Sequence, residues 1–383
     1  MTETILSADE AVAESFALGP KPRMTPATRL RVAEAWELFD HATNGSLLAK
    51  AKLQESLTTS DFPTLFGAAL ETKLLAAYNA ITPVWSGFAT KDTVPDFRAQ
   101  SWVDLLGGQG ALDPIGEGAP YPRAKLDERG GSYKVAKYGK TIGLTWEMFK
   151  NDRLGAFRSL PDRLAVAARE MEDRIATMQL TDGDGPNATL FSSTSGIGAA
   201  KATFTTLLTG NPVLSEDAFG AAILAISTRV DYDGRPIAPN GIVLVVSPAL
   251  EQAALRIVAS TEIEETVGST KVRRRNPYAG RARVVVNPWL NVLDVGSNKA
   301  TNWFVLPEPS GNPRPAIVLA FLEGHETPDL RVKNDQGTRV GGGAIPVEEG
   351  SYEFDTIDYR ARHVLGGGTV DANAAAYSSG AGS

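Results

Sequence analysis

Apolar residues recur along this chain with more than one period, and the changes of period mark out its elements. Between 138 and 146, Tyr138, Ile142, Leu144 and Trp146 fall on one face with Lys140 among them, while Gly139, Thr141, Gly143 and Thr145 fall on the other. That period of two predicts a strand with one apolar and one small polar face. From 160 to 180 the period changes. Leu164, Ala168, Met171, Ile175 and Met178 form one helical stripe, with Pro161 and Asp162 suited to the first turn. The TDGDGPN turn after Leu180 ends that helix.

The stretch between Val94 and the strand behaves differently. Seven glycines (107, 108, 110, 116, 118, 130, 131) and Pro114, Pro120 and Pro122 exclude a helix there. This excursion has no core of its own, and a two-stranded ribbon is marginal alone in water. The pattern therefore predicts that Gly107–Trp146 rests on a second copy of the chain. Upstream, Val32, Ala35, Trp36 and Phe39 suggest a helical arm, and Leu65, Ala69, Leu74, Leu75 and Tyr78 a second helix ended by Pro83.

Residues 213–321 read as an α/β unit. Ser215 is a good N-cap before Phe219, Ile223, Ile226 and Val230. Ile242–Val246 is wholly apolar, as expected of a central strand. Ser247-Pro248 opens another helix, and strands are expected at 283–286, 303–306 and 316–321. Ile357, Tyr359 and Ala361 alternate with Asp358, Arg360 and Arg362 in a further strand. The tail after Gly366 is small and polar, and its end is expected to fray.

Charge and composition narrow the chemistry. With 38 basic and 45 acidic residues the net charge is −7, the opposite of the basic excess of a tight phosphate binder. There are no cysteines and only three histidines, His41, His325 and His363, so thiolate sites are excluded and histidine cages are poorly supplied. No apolar run is long enough to span a membrane. The glycines at 107–118 lack a phosphate-loop pattern, and no nucleophile elbow occurs. The oxygens of Asp182, Asp184 and Asn187 do not have EF-hand spacing. No catalytic, cofactor or metal residues are assigned, and no cofactor is expected. One basic cluster, Lys271, Arg273, Arg274, Arg275, Arg281 and Arg283, follows the acidic Glu262, Glu264 and Glu265. It is read either as a contact with an acidic or nucleic-acid partner or as a solvated loop whose charges cancel.

SDFPTLFG at 60–67, VPDFR at 94–98, KYGKTIGLTWEMFKND at 137–152, DGRPIAPNGIVLVVSPALEQAA at 233–254, RVVVNPWL at 283–290 and IDYRARHVLGGGTVDANAA at 357–375 together resemble the major capsid proteins of tailed bacteriophages, and most closely the Mu-like prophage major head subunits. The resemblance implies an α+β, Hong Kong 97-like fold: an N-terminal arm and helices (1–97), an extended loop hairpin (98–150), a spine helix (151–189), an axial domain (190–324) and C-terminal strands completing a peripheral domain (325–383). It implies a non-enzymatic major capsid protein. Pentamers and hexamers of it would build an icosahedral shell around double-stranded DNA, which it touches weakly and without sequence preference. Scaffolding, portal and decoration proteins are the other implied partners, with assembly in the host bacterial cytoplasm and residence in the virion capsid. Inter-subunit contacts are expected at Tyr138, Ile142, Trp146, Arg273, Arg274 and Arg275. An encapsulin-type nanocompartment is the alternative, and an α/β enzyme the more distant one.

Overall fold

The computed structural model describes residues 41, 62–101, 104–106, 115, 127–129, 131–145, 147, 159–192, 204–230, 236–267, 270–312, 314–333, 335–338, 340–341, 345 and 350–382, with backbone alone at 62–69, 104–106, 127–129, 144, 263–267 and 270–272. The expected arm helix, nearly all of 107–126 and Trp146 lie outside the described residues.

Helix α1 (Phe62–Ala80) stops short of Pro83, and a 3-10 turn (Val84–Gly87) leads into β1 (Thr90–Val94). Strands β2 (Gln100–Ser101) and β3 (Asp104–Leu106) run out, β4 (Asp127–Arg129) and β5 (Ser132–Tyr133) run back, and β6 (Ala136–Thr145) follows. Helix α2 (Leu160–Thr177) carries Asp162 in its first turn. Then come α3 (Glu216–Ser227), β7 (Ile242–Val246), α4 (Glu251–Ala259), β8 (Glu262–Val267), β9 (Thr270–Arg275) and β10 (Arg283–Val286). A short α5 (Leu290–Leu293), β11 (Trp303–Pro307), β12 (Ile317–Leu322), β13 (Asp329–Val332), β14 (Thr356–Thr369) and β15 (Ala376–Ser378) complete the order.

The chain divides into two compact units. One takes the described residues of 1–82, 136–170 and 322–365; the other takes 83–135, 171–321 and 366–383. In the first, β14 lies antiparallel between β6 and β13, with Thr356 opposite Thr145, Leu365 opposite Ala136, and Asp329 opposite Arg362. Tyr78 of α1 is buried there with Ala165 and Ala168 of α2. Its ring meets His363 edge-on at 6.0 Å, and the Arg169 guanidinium stacks 3.6 Å above it while Nε donates to the Tyr78 carbonyl.

The second unit is built on a sheet of order β10-β7-β11-β15, with β10 parallel to β7 and β11 antiparallel to β7 and β15. Val243–Val246 are fully buried, as the unbroken apolar run requires. Phe219, Ala222 and Ile226 of α3 and Ala254 and Val258 of α4 pack in the same core. Ser215 caps α3 by accepting from the Ala218 N–H. In this unit the 3-10 turn is anchored to α2. The Trp85 N–H donates to Asp173 and its indole N–H to Glu172, each at 2.8 Å, and both carboxylates are buried.

Four expectations change. The first concerns the ribbon. Among the described residues, 100–101 pair with 132–133 and 104–106 with 127–129, Gln100 opposite Tyr133 and Asp104 opposite Arg129. The strand at 136–145 instead joins the chain's own sheet beside β14, so it does not need a neighbour to be paired. Alternation set its inward face correctly but carried no information on its partner. Second, β12 pairs with β1 and, through Ala316 accepting from the Val370 N–H, with the end of β14, not with the β7 sheet. Third, the stripe on α2 turns: Met178 is 49% exposed just past the helix end, while Glu172, Asp173 and Ala176 are buried.

Fourth, the small, polar tail is packed into the core until its last few residues. Residues 370–379 are almost wholly buried, β15 adds to the second unit's sheet, and 366–383 groups with that unit while 325–365 belongs to the first. Tyr377 shows how deeply it is held. Its ring lies 5.0 Å from Phe304 and 5.6 Å from Phe191. Burial, with Asp294 adding to it, pushes the phenol up to about 12 from an ordinary value of 10.0. Tyr133, whose hydroxyl donates to Asp92, is also raised, by burial and then by that carboxylate. A folded pKa above the unfolded one means that the stabilisation is complete below pH ~10 and is lost as pH rises through the folded value. Chemical denaturation should therefore show stability falling steeply between pH 10 and about 12, and Tyr377→Phe should flatten that fall.

Candidate inter-subunit surfaces

Strand β6 is ten residues long and forms an edge of its sheet. Residues directly opposite in an antiparallel pair share a face. Tyr138 and Ile142 therefore sit on the side of His363 and Tyr359, which are buried, and both are themselves half-buried. On the other side Lys137, Gly139, Thr141 and Gly143 are all exposed. The glycines have a packing reason. A Cβ on Gly139 would stand 2.8 Å from the Ala361 carbonyl oxygen, and one on Gly143 2.9 Å from the Asp358 carboxylate. Close approach to β14 thus leaves a flat, small-residue outer face.

The basic cluster is sorted by the β8–β9 hairpin. Its register puts Glu262 opposite Arg275, Ile263 opposite Arg274 and Glu264 opposite Arg273. The acidic run and the basic run are thus the two strands of one ribbon, and opposite charges stand across from each other. Arg273, Arg274 and Arg275 are exposed, and Arg274 pairs with Glu216 in the first turn of α3 at 3.1 Å. The inter-subunit residues expected on β6 and on this hairpin lie in different units, and Trp146 is outside the described residues.

Asn276 secures the hairpin's exit. Its Nδ2 donates to the carbonyls of Ile257 and Ser260 at the end of α4, and its Oδ1 accepts from the Tyr278 N–H. Arg229 plays a similar part for the C-terminal segment, donating to the carbonyls of Thr205, Asn373 and Ala375. Sequence reasoning singled out neither residue, because their acceptors are backbone oxygens and leave no residue-type signal. Among the described residues, no group of acidic or histidine side chains is placed to hold a metal ion. The 182–187 turn is closed by its own bonds, with Asp182 N–H donating to Gly185 and Asn187 N–H to Leu180. No described helix is long and apolar enough to cross a membrane.

A family model described as phage capsid protein matches residues 129–378, from the returning arm of the ribbon through β15. The chain belongs to the phage capsid protein family. No curated protein matches it. Among solved structures it is similar to a chain of Gordonia phage Cozz, at 13% identity over 76% of this chain and 84% of that one with a TM-score of 0.43. It is similar also to the capsid of an empty GTA particle, at 12% identity over 78% and 90% with a TM-score of 0.45. The holo-SrpI encapsulin complex from Synechococcus elongatus shares 10% identity over 78% and 88%, with a TM-score of 0.40. The family match carries the assignment. This phage capsid protein is a structural subunit of α+β fold, a major capsid protein whose copies form the icosahedral shell of the virion.

Proposed function

We propose that this capsid protein is a Mu-like major head subunit whose pentamers and hexamers enclose double-stranded DNA. On this reading, scaffolding, portal and decoration proteins act with it in the host bacterial cytoplasm. The match to the capsid family over most of the described fold is the observation that supports it. A shell closes through many moderate contacts, each on the order of 1,000 Å². The net charge of −7 suits a wall that does not hold packaged phosphates tightly.

We assign the extended loop to 98–150, the spine to 151–189, the axial domain to 190–324 with β15 added to its sheet, and the peripheral strands to the rest of 325–383. Tyr138, Ile142 and Trp146 are proposed contacts of the loop side. Arg273, Arg274 and Arg275 are proposed contacts of the axial ribbon, whose two strands of opposite charge suit head-to-tail packing around a ring. Changing the three arginines to glutamate should cut the yield of sedimenting particles about fivefold and make the remainder more salt-sensitive. Unchanged assembly and salt tolerance would remove the ribbon from the interface. Nuclease-treated particles from an infected or induced host should retain genome-length DNA; particles filled with a cargo enzyme would favour a nanocompartment.

A further inference from the structure

The β13–β14 connection of the first unit ends in a turn that is rigid and yet presents two large aromatic rings to water. Ser351 is buried. Its N–H donates to the Thr356 carbonyl, its carbonyl accepts from the Asp355 N–H, and its hydroxyl accepts from the Phe354 N–H. The Tyr352 N–H donates to the Asp335 carbonyl. Gly350 has φ +86°, and a Cβ there would stand 2.3 Å from the Asp355 carbonyl carbon; Asp355 itself has φ +48°. A backbone fixed this firmly holds Tyr352 83% exposed and Phe354 73% exposed, with Glu353 and Asp355 exposed between and beside them. Large rings held out on an ordered, acidic turn are a signature of a contact surface, not of a solvent-facing loop.

The same unit carries a surface that is mostly basic, with Asp358 at its Gly143 end the one acidic side chain facing it from β14. The outer face of β6 offers a floor of Gly139, Thr141 and Gly143, with exposed Lys137 on the same strand. Arg360, exposed and directly opposite Thr141 on β14, stands beside that floor. The turn of the same chain leads into Thr356, opposite Thr145, and the floor begins two residues back at Gly143; within its own chain the turn is instead bonded to Asp335 and to itself.

We propose that the 350–356 turn of one copy docks on the outer face of β6 in a second copy, Tyr352 and Phe354 lying on the Gly139–Gly143 floor and Glu353 meeting Lys137 and Arg360. Arranged head-to-tail, the knob of each copy meets the floor of the next, and a ring closes where the rotation between copies is five- or sixfold. Aromatic anchors supply the buried area and the charges set the register. This inference rests on the shell-forming reading and names one of its joints.

The test uses the full chain, with assembly followed by sedimentation and negative-stain microscopy across a concentration series. Tyr352→Ser with Phe354→Ser should raise the concentration needed for particles at least about tenfold while leaving the unfolding temperature unchanged, since both rings are exposed. Glu353→Lys should raise it by a smaller factor, as should Lys137→Glu with Arg360→Glu. Combining the two charge reversals should restore particle formation to within about threefold of the original chain. Particle formation by the serine variant at the original concentration would overturn the proposal. So would failure of the combined reversal to rescue, which would assign the turn to another occupant. An original chain that forms no particles at all contradicts the shell-forming reading instead, so the two failures are distinct.

Discussion

Alanine at position 366 is expected to cost about 4 kcal/mol or more, enough to leave most of the second unit unfolded at physiological temperature. The reason is geometric. A Cβ on Gly366 would lie 2.0 Å from the Lys134 carbonyl oxygen and 2.8 Å from its carbon. Both are backbone atoms of the segment that joins β5 to β6, and Val135 beside them is buried. No rotamer relieves such a contact; the two segments must part. Gly368 is held in the same way, with a Cβ 2.4 Å from the Tyr133 Cβ. Gly367 provides the control. Its added methyl would first meet the flexible side chain of Gln179, at 2.8 Å from Nε2 and 3.1 Å from Cγ, rather than backbone. Gly367→Ala should therefore cost no more than about 1.5 kcal/mol. Urea unfolding of the three chains measures the difference; equal effects at 366 and 367 would show that the close approach is not what holds this crossing.

Arg229→Met is the second large effect, expected at about 3–5 kcal/mol. Arg229 is only 7% exposed. It donates at 2.7 Å to Asn373 and to Ala375 and at 3.0 Å to Thr205, and its guanidinium lies 4.6 Å over the Phe204 ring. Burial pushes its pKa down to about 10, opposed by Asp371, so it stays cationic at neutral pH. Methionine fills much of the volume but leaves the carbonyl oxygens of Asn373 and Ala375, in buried bonds, and the part-buried one of Thr205 short of a donor. The loss should appear first in the C-terminal segment. Amides of Ala375–Ser378 should exchange much faster, because β15 is held on its sheet by that segment's course. Arg229→Lys should recover part of the loss by donating to some of the same oxygens. Unchanged exchange at 375–378 would mean that the arginine is not what fastens the strap.

Particular residues explain how much of this was legible in the sequence. Ile242–Val246 announced a central strand because a strand covered on both faces needs no polar position. Pro161 and Asp162 marked the start of α2, and Ser215 marked α3, because helix starts have local chemistry. The capsid motifs, read in order, pointed to the family that the match over 129–378 established. What failed to show was pairing at a distance. Tyr138, Ile142 and their alternation fixed a face for β6 but could not name β14 as its partner. Gly366–Gly368 gave no sign of the close packing around them, because a glycine needed for close packing and one in a loose chain are the same letter. The burial of Glu172 and Asp173 was not legible either, because it depends on Trp85, far away in sequence, supplying their donors. The candidate contacts were legible only in part. The charges of β8 and β9 stood out as runs, but that they face each other across one hairpin depends on register. Tyr352 and Phe354 carried no period at all.

The central claim is that this chain completes itself only as one of many identical subunits. Electron microscopy of the purified full-length protein, alone and with a scaffolding partner, tests it most directly. Closed shells of uniform diameter built from five- and six-membered rings are the expected result. A protein that stays a folded monomer at every concentration, with and without such a partner, would contradict it.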